Sequence, residues 1–396
     1  VDPRYQEFLQ QLINGLSAGA IYALIAVGYT MVYGVLRLIN FAHGDIYMVG
    51  AVAGLYAFTR SLSQPAPGEP FVLVILIASL VAMVVLYVLN RRRAAATSSS
   101  PPGLLKSPRL FDAVATLFAL LVVVELCLWT RRPGVSRPPS WTGFLLVLVA
   151  AMFVCGCLGF AIERLAYRPL RNQPRITALI TAIGVSLLLE FGGQFVFGAT
   201  PQAFPSIMPA FFPGSAVEPR ALGPVTFTGT QALIGQLSVS AVDVLIFGTT
   251  LVLMVVLWWL VQHTRTGMAL RAVSFRFDTA ALMGINVNRI VSFTFVLGSA
   301  LAAAAGVLVG VKFPQVDPLM GLMPGIKAFV AAVLGGIGNI PGAVAGGVLL
   351  GLVETLVAGY LPQGSQYRDG VAFVILIAVL LVKPSGLFGS NAVEKV

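Results

Sequence analysis

The chain has 396 residues, of which 58% are apolar and only 10% charged, against roughly a quarter charged in soluble domains. So little polar surface cannot face water on every side, so lipid is the solvent and the backbone must close its own hydrogen bonds as helices or as a barrel. The net charge of +10 does not mark a nucleic-acid binder, because the basic residues lie in short separated loops without a basic domain.

The apolar runs are continuous and about 20 residues long, the length of a helical crossing, where a barrel would show short segments of alternating polarity. They predict an all-α polytopic transmembrane bundle of about 9–11 spans. In chain order these fall near 8–33, 44–60, 71–90, 110–129, 143–163, 176–197, 241–262, 291–312, 322–335, 341–358 and 369–383. The first run continues into a full span, so no cleavable signal peptide is expected.

Arginine and lysine orient the bundle. Arg91, Arg92, Arg93, Lys106 and Arg109 crowd one loop, Arg164, Arg168, Arg171 and Arg175 a second, and Arg265, Arg271, Arg276 and Arg289 a third. Alternating spans put all three loops on one side, which the positive-inside rule makes cytoplasmic. The N-terminus is then external, and the C-terminus, with Lys383 and Lys395, cytoplasmic. Arg131, Arg132 and Arg137 run against this count. The stretch 198–240, rich in Pro, Gly and Phe with Arg220 alone among basic residues, reads as a compact external loop.

Polar groups inside the apolar sequence are few. "GVLRLINFAHGDIYMVGA", Gly34 to Ala51, places Arg37, Asn40, His43 and Asp45 between two apolar runs. A catalytic or metal site, a polar patch in a transport path, and a membrane-surface loop compete here. Asp45 starts a span, where its charge favours a helix N-terminus, so end-capping and interface structure lead, gating polarity follows and catalysis is last. The other histidine, His263, ends a distant span. Glu125, Glu190, Asp243 and Glu354 lie within spans, with Lys312 and Lys327 near external ends. An ion-driven carrier places paired charges at its substrate site. Glu354 and Glu190 could serve, but hydrogen bonding between helices or facing a wet cavity is the role expected of them, which counts against such a carrier. Cys127, Cys155 and Cys157 sit in apolar runs and read as small buried hydrophobes.

Small residues recur every fourth position: Gly15, Gly19 and Ala23; Gly298, Ala302, Gly306 and Gly310; Gly338, Gly342 and Gly346. Such stripes let helices approach closely in lipid. "GGIGNIPG", Gly335 to Gly342, breaks the helix and reads as a hairpin turn between short spans, a feature that transport paths share. No G-x-x-x-x-G-K-[ST] and no H-E-x-x-H occurs, so the chain carries neither a P-loop nor that metalloprotease signature. The segment Arg265–Ile290 suits an amphipathic helix on the membrane face, with Leu270, Val273, Phe277, Ala281 and Met283 or Gly284 at helical spacing. It either packs on the bundle or docks a soluble partner.

Four stretches, in order, resemble the permease subunits of branched-chain amino-acid ABC importers, the LivH type. They are Phe8–Ala51, "ERLAYRPLR" at Glu163–Arg171, "ALMGIN" at Ala281–Asn286, and "KAFVAAVLGGIGNIPGAVAGGVLLG" at Lys327–Gly351, with "KPSGLFG" closing the chain. The resemblance implies a single transmembrane permease domain over 1–396 in a bacterial inner membrane, paired with a second, sister permease subunit. Two P-loop ATPase subunits bind ATP below it, and a periplasmic amino-acid-binding protein delivers substrate; the chain itself holds no cofactor or metal and is not an enzyme. The segment 263–290 then matches the ATPase-coupling element, with Arg271, Asp278, Ala281, Met283 and Gly284 as its contacts and Gly284 allowing the turn. Asn40, His43, Asp45, Gly338, Asn339 and Glu354 are the candidates for the path or its gate. Two stretches depart from the family. Phe275, Arg276 and Phe277 intervene where it is more acidic, and 66–142 reads as an inserted helical hairpin. Urea or short amides are the alternative cargo, and a stand-alone carrier or channel is the alternative class.

Overall fold

The computed structural model describes residues 3–60, 141–171, 173–205, 220–222, 225–227, 231–234 and 237–389. The spans expected at 71–90 and 110–129, residues 66–140 of the hairpin expected at 66–142, and the basic clusters at 91–109 and 131–137 lie outside the described residues.

The long helices follow the apolar runs. They are α1 (Pro3–Leu36), α2 (His43–Arg60), α3 (Trp141–Ile162), α4 (Arg175–Phe197) and α5 (Ala241–His263). Two short helices, α6 (Arg265–Phe275) and α7 (Phe277–Leu282), precede α8 (Val287–Lys312), α9 (Leu322–Gly335), α10 (Ile340–Tyr360) and α11 (Arg368–Val382). Among the described residues seven helices are long and apolar enough to cross a membrane. α1 is one unbroken helix of 34 residues. α9 is not a full crossing: its 14 residues reach about 21 Å at 1.5 Å per residue, short of a hydrocarbon core of about 30 Å. Its bounds are those expected of a short span before the Gly335–Gly342 turn.

α2 is the axis of the bundle. Every residue from Ala42 to Phe58 is buried, as expected of a helix that is apolar all round. It packs on α8 through bare backbone: a Cβ on Gly306 would collide with the Tyr47 carbonyl, and one on Gly50 with Ala303. α1 and α10 touch in the same way, since a Cβ on Gly19 would lie 2.7 Å from Val348 Cα and one on Gly347 2.6 Å from Ala23 Cα. The glycines of the four-residue stripes are therefore close contacts, except Gly338, where a Cβ would meet nothing within 4 Å. At Gly335–Gly342 the chain turns tightly between α9 and α10, with Gly336 at φ 99° and Gly338 at φ 94°, a backbone region that side chains disfavour.

One face of the bundle carries Arg164, Arg168, Arg171, Arg265, Arg271, Arg276, Arg289 and Lys383, and the other carries two small sheets. β1 (Gln202–Ala203) pairs antiparallel with β6 (Gln315–Val316), and β2 (Arg220–Leu222), β3 (Val225–Phe227), β4 (Gln231–Ile234) and β5 (Leu237–Ser240) form an antiparallel meander. The loop reading of 198–240 contained no strands. Its Pro and Gly content masks segments of only two to four residues, too short for alternation to register.

The structure also corrects the view of intramembrane charge. Lys312 Nζ lies 3.1 Å from Asp243 Oδ1 and 2.6 Å from Ser17 Oγ, and Lys327 Nζ lies 2.9 Å from Glu354 Oε1. These partners sit on different helices, 69 and 27 residues apart, so only packing reveals the pairs. The argument from intramembrane charge against an ion-driven carrier therefore falls away.

Candidate transport path and coupling surface

The segment between α1 and α2 turns back into the bundle. Arg37 leaves α1 at φ 56°, a left-handed turn that costs a non-glycine residue strain. Residues 38–42 then run inward, and α2 starts deep. The His43 imidazole lies against Gly28 and Gly298, eight residues from the end of α1 (36 − 28) and eleven from the start of α8 (298 − 287). That is about 12–16 Å inside, at 1.5 Å per residue. His43 meets the Tyr29 ring edge-on at 4.7 Å, and its Nε2 is buried with no hydrogen-bond partner among the described residues. Gly44 touches the backbone of Gly321 and Gly325, where a Cβ would approach to 2.5 and 2.8 Å. Asp45 lies in the first turn of α2, and its Oδ2 accepts a 2.5 Å hydrogen bond from Ser186 Oγ of α4. Asn40 does not cap α2 with its side chain; its Oδ1 accepts from the Tyr167 hydroxyl at 2.7 Å.

Tyr167 belongs to "ERLAYRPLR", where α3 runs on through a π-helical turn, Glu163–Tyr167. Glu163 is fully buried and paired with Arg171, and its Oε2 accepts from Ser292 Oγ at 2.5 Å. Arg171 also donates to Asn288 Oδ1 at 2.6 Å. Burial pulls the Arg171 guanidinium below its ordinary range, and Glu163 pulls it back up. This motif thus ties the end of α3 to the start of α8 and, through Tyr167, to the start of α2. The sequence shows the motif but not what these residues do, because their partners lie 117 to 129 residues away.

The expected amphipathic helix at 265–290 is two helices. Arg276, at φ −150° and ψ 119°, separates α6 from α7, and Gly284, at φ 79°, makes the turn after them. Gly267, Leu270, Val273 and Ala280 face the bundle. Phe275, Leu282 and Met283 are 81%, 87% and 79% exposed, and Arg271, Asp278, Ala281 and Gly284 are exposed as well. Arg271 is held by the Gln262 side chain. These exposed apolar side chains stand beside the exposed charges of Arg271 and Asp278.

Gly338 and Asn339 sit at the α9–α10 turn on the basic face. Asn339 caps α10 by accepting from Gly342 N at 3.2 Å and donates to the Phe388 carbonyl at 3.0 Å, which gives it a structural task. Glu354 lies elsewhere, buried among α1, α9, α10 and α11. Its carboxylate accepts from the Tyr22 hydroxyl at 2.8 Å and from Lys327 at 2.9 Å. The path candidates therefore form two separate groups: Asn40, His43 and Asp45 around the start of α2, and Glu354 with partners that the sequence did not pair.

A family model for the branched-chain amino acid transport system permease component matches residues 11–98 and 107–380. The chain belongs to this family. The permease is 36% identical over 397 residues to the high-affinity branched-chain amino acid transport system permease protein LivH of Escherichia coli K12, covering 98% of each chain. It is 36% identical over 394 residues to BraD of Pseudomonas aeruginosa, described in the same words, covering 100% of each. A probable branched-chain amino acid transport permease, LivH of Methanocaldococcus jannaschii, is 29% identical over 245 residues, or 60% of this chain and 72% of that one. No solved structure matches the permease.

Proposed function

We propose that this permease is the membrane-spanning subunit of an ATP-driven importer for branched-chain amino acids in a bacterial inner membrane. The observation that carries the cargo is the end-to-end similarity to LivH and BraD, whose names give branched-chain amino acids. The basic face is cytoplasmic by the positive-inside rule, and the C-terminus lies there with it. P-loop ATPase subunits dock on α6 and α7, where the exposed Phe275, Leu282 and Met283 enter a groove. A second permease subunit completes the path, and a periplasmic binding protein delivers substrate to the face with the sheets. ATP binding and hydrolysis move α6 and α7, and the rigid helices convert that movement into alternating access.

The test is ligand binding by the cognate secreted protein, followed by uptake of the same compounds by the reconstituted complex. Leucine, isoleucine and valine are expected to bind and to be carried. Binding of urea or acetamide with no branched-chain amino acid would transfer the permease to the amide importers.

A further inference from the structure

The charged group around Glu354 has more members than a helix contact needs. Lys327 of α9 bridges Glu354 of α10 and Asp369 of α11 at 2.9 and 2.7 Å. Arg368 Nε lies 3.3 Å from the same Glu354 oxygen, yet it is buried and makes no hydrogen bond among the described residues. The Tyr22 hydroxyl of α1 completes the group. Burying such pairs gains little stability over an apolar contact of equal volume, and charges at membrane depth mark substrate and ion routes.

Its position suits capture. Lys327 and Glu354 are buried, whereas the Arg368 and Asp369 side chains are 40% and 52% exposed, so the group is closed on the inside and open at one end. That end is the start of α11, on the face that carries the sheets. α11 has 15 residues, about 22 Å at 1.5 Å per residue. The N-terminus of α11 opens on the group, where its dipole favours an anionic ligand atom.

The chemistry is that of a zwitterion. Two cations, Lys327 and Arg368, face two carboxylates, Glu354 and Asp369, so the group is neutral as it stands. We propose that it is the outer binding site for the amino and carboxylate groups of a neutral amino acid, resting on the function proposed above. The carboxylate pairs with Lys327 and Arg368, using the unmatched Nε, and the ammonium pairs with Asp369 and Glu354. A neutral zwitterion exchanges partners without adding net charge to a low-dielectric site. A cationic or anionic amino acid leaves one charge uncompensated and is rejected.

The test uses the full chain with its native partner subunits, first in detergent and then in proteoliposomes. Leucine is expected to raise the melting temperature of the complex. Leucinamide, which lacks the carboxylate, and N-acetyl-leucine, which lacks the ammonium, are expected not to. In Lys327→Met/Glu354→Gln, a charge-neutral pair of changes, the leucine shift should vanish and the KM for leucine uptake should rise about tenfold or more, the effect of losing about 1.4 kcal/mol of binding. Asp369→Asn, at the exposed end, should raise KM in the same direction if the double variant does not fold. The site is overturned if leucinamide or N-acetyl-leucine shifts the wild type as leucine does. It is also overturned if the variants bind and carry leucine as the wild type does. If the wild-type complex carries no amino acid, the proposed function fails first and this site falls with it.

Discussion

The Tyr167 hydroxyl donates to Asn40 Oδ1 at 2.7 Å across 127 residues of sequence, joining the π-helical turn after α3 to the segment that leads into α2. On one side of this bond Glu163, Arg171, Asn288 and Ser292 connect to the start of α8, directly after α6 and α7. On the other side, the His43 amide donates to the Asn40 carbonyl at 3.1 Å and begins the buried central helix. A hydrogen-bonded route therefore runs from the start of α8 to the start of α2, the axis of the bundle. It carries movement only if its members are energetically coupled.

Tyr167→Phe tests that route. It leaves a buried acceptor on Asn40 without its donor, at a cost of about 1–3 kcal/mol. A lower melting temperature is expected, together with ATP hydrolysis less tightly linked to uptake in the assembled complex. Unchanged stability and unchanged coupling would make the bond a bystander.

The exposed face of α7 gives a second prediction. Leu282→Glu and Met283→Glu each place a charge where an apolar groove is expected, costing about 1–3 kcal/mol of docking. ATPase subunits should co-purify poorly with either variant, while the permease still inserts. Gly284 is a poorer probe, because its φ of 79° makes any side chain strain the turn itself. Full ATPase recovery with both variants would put the contact elsewhere.

Close helix approach gives a third. A Cβ on Gly351 would reach 2.5 Å from Gly19 Cα, whereas one on Gly248 meets nothing within 4 Å. Gly351→Leu should therefore abolish the folded permease, by forcing apart the α1–α10 seam that stands in for a hydrophobic drive in lipid. Gly248→Leu should be tolerated. Equal yields of both variants would refute the packing described for α1 and α10.

The fourth concerns the segment 66–142, which the sequence reading takes as an insertion. α2 ends and α3 begins on the same face, and a Cβ on Gly54 would touch Val147 at 3.4 Å, so the two helices are neighbours. Joining residue 64 to residue 143 should leave insertion, ATPase docking and uptake largely intact. Loss of uptake by a protein that still binds its ATPases would make the segment part of the mechanism.

Much of this architecture is legible in the sequence because lipid demands long unbroken apolar runs. α1, α4, α5, α8 and α10 fall within a few residues of their predicted bounds for that reason. The failures share one cause, that depth and partnership are tertiary. Nothing local distinguishes α2, which starts well inside the bundle, from a helix that starts at the surface. The short run Leu322–Gly335, by contrast, matches its predicted bounds, because Gly335–Gly342 marks its end in the sequence. The split at Arg276 is invisible to helical spacing, since Gly267, Leu270, Val273 and Ala280 keep an apolar face across it. Lys327 is conspicuous as a lone charge, yet its partners Glu354 and Asp369 come together only when α9, α10 and α11 pack.

The most direct measurement of the central claim is uptake by proteoliposomes holding the permease alone or with its ATPase subunits, its partner permease and the secreted binding protein. The permease alone should hydrolyse no ATP and accumulate no amino acid, under a proton or sodium gradient or without one. The full set should concentrate leucine, isoleucine and valine only when ATP is present. Gradient-driven accumulation by the permease alone would contradict the account and make the chain a self-sufficient carrier.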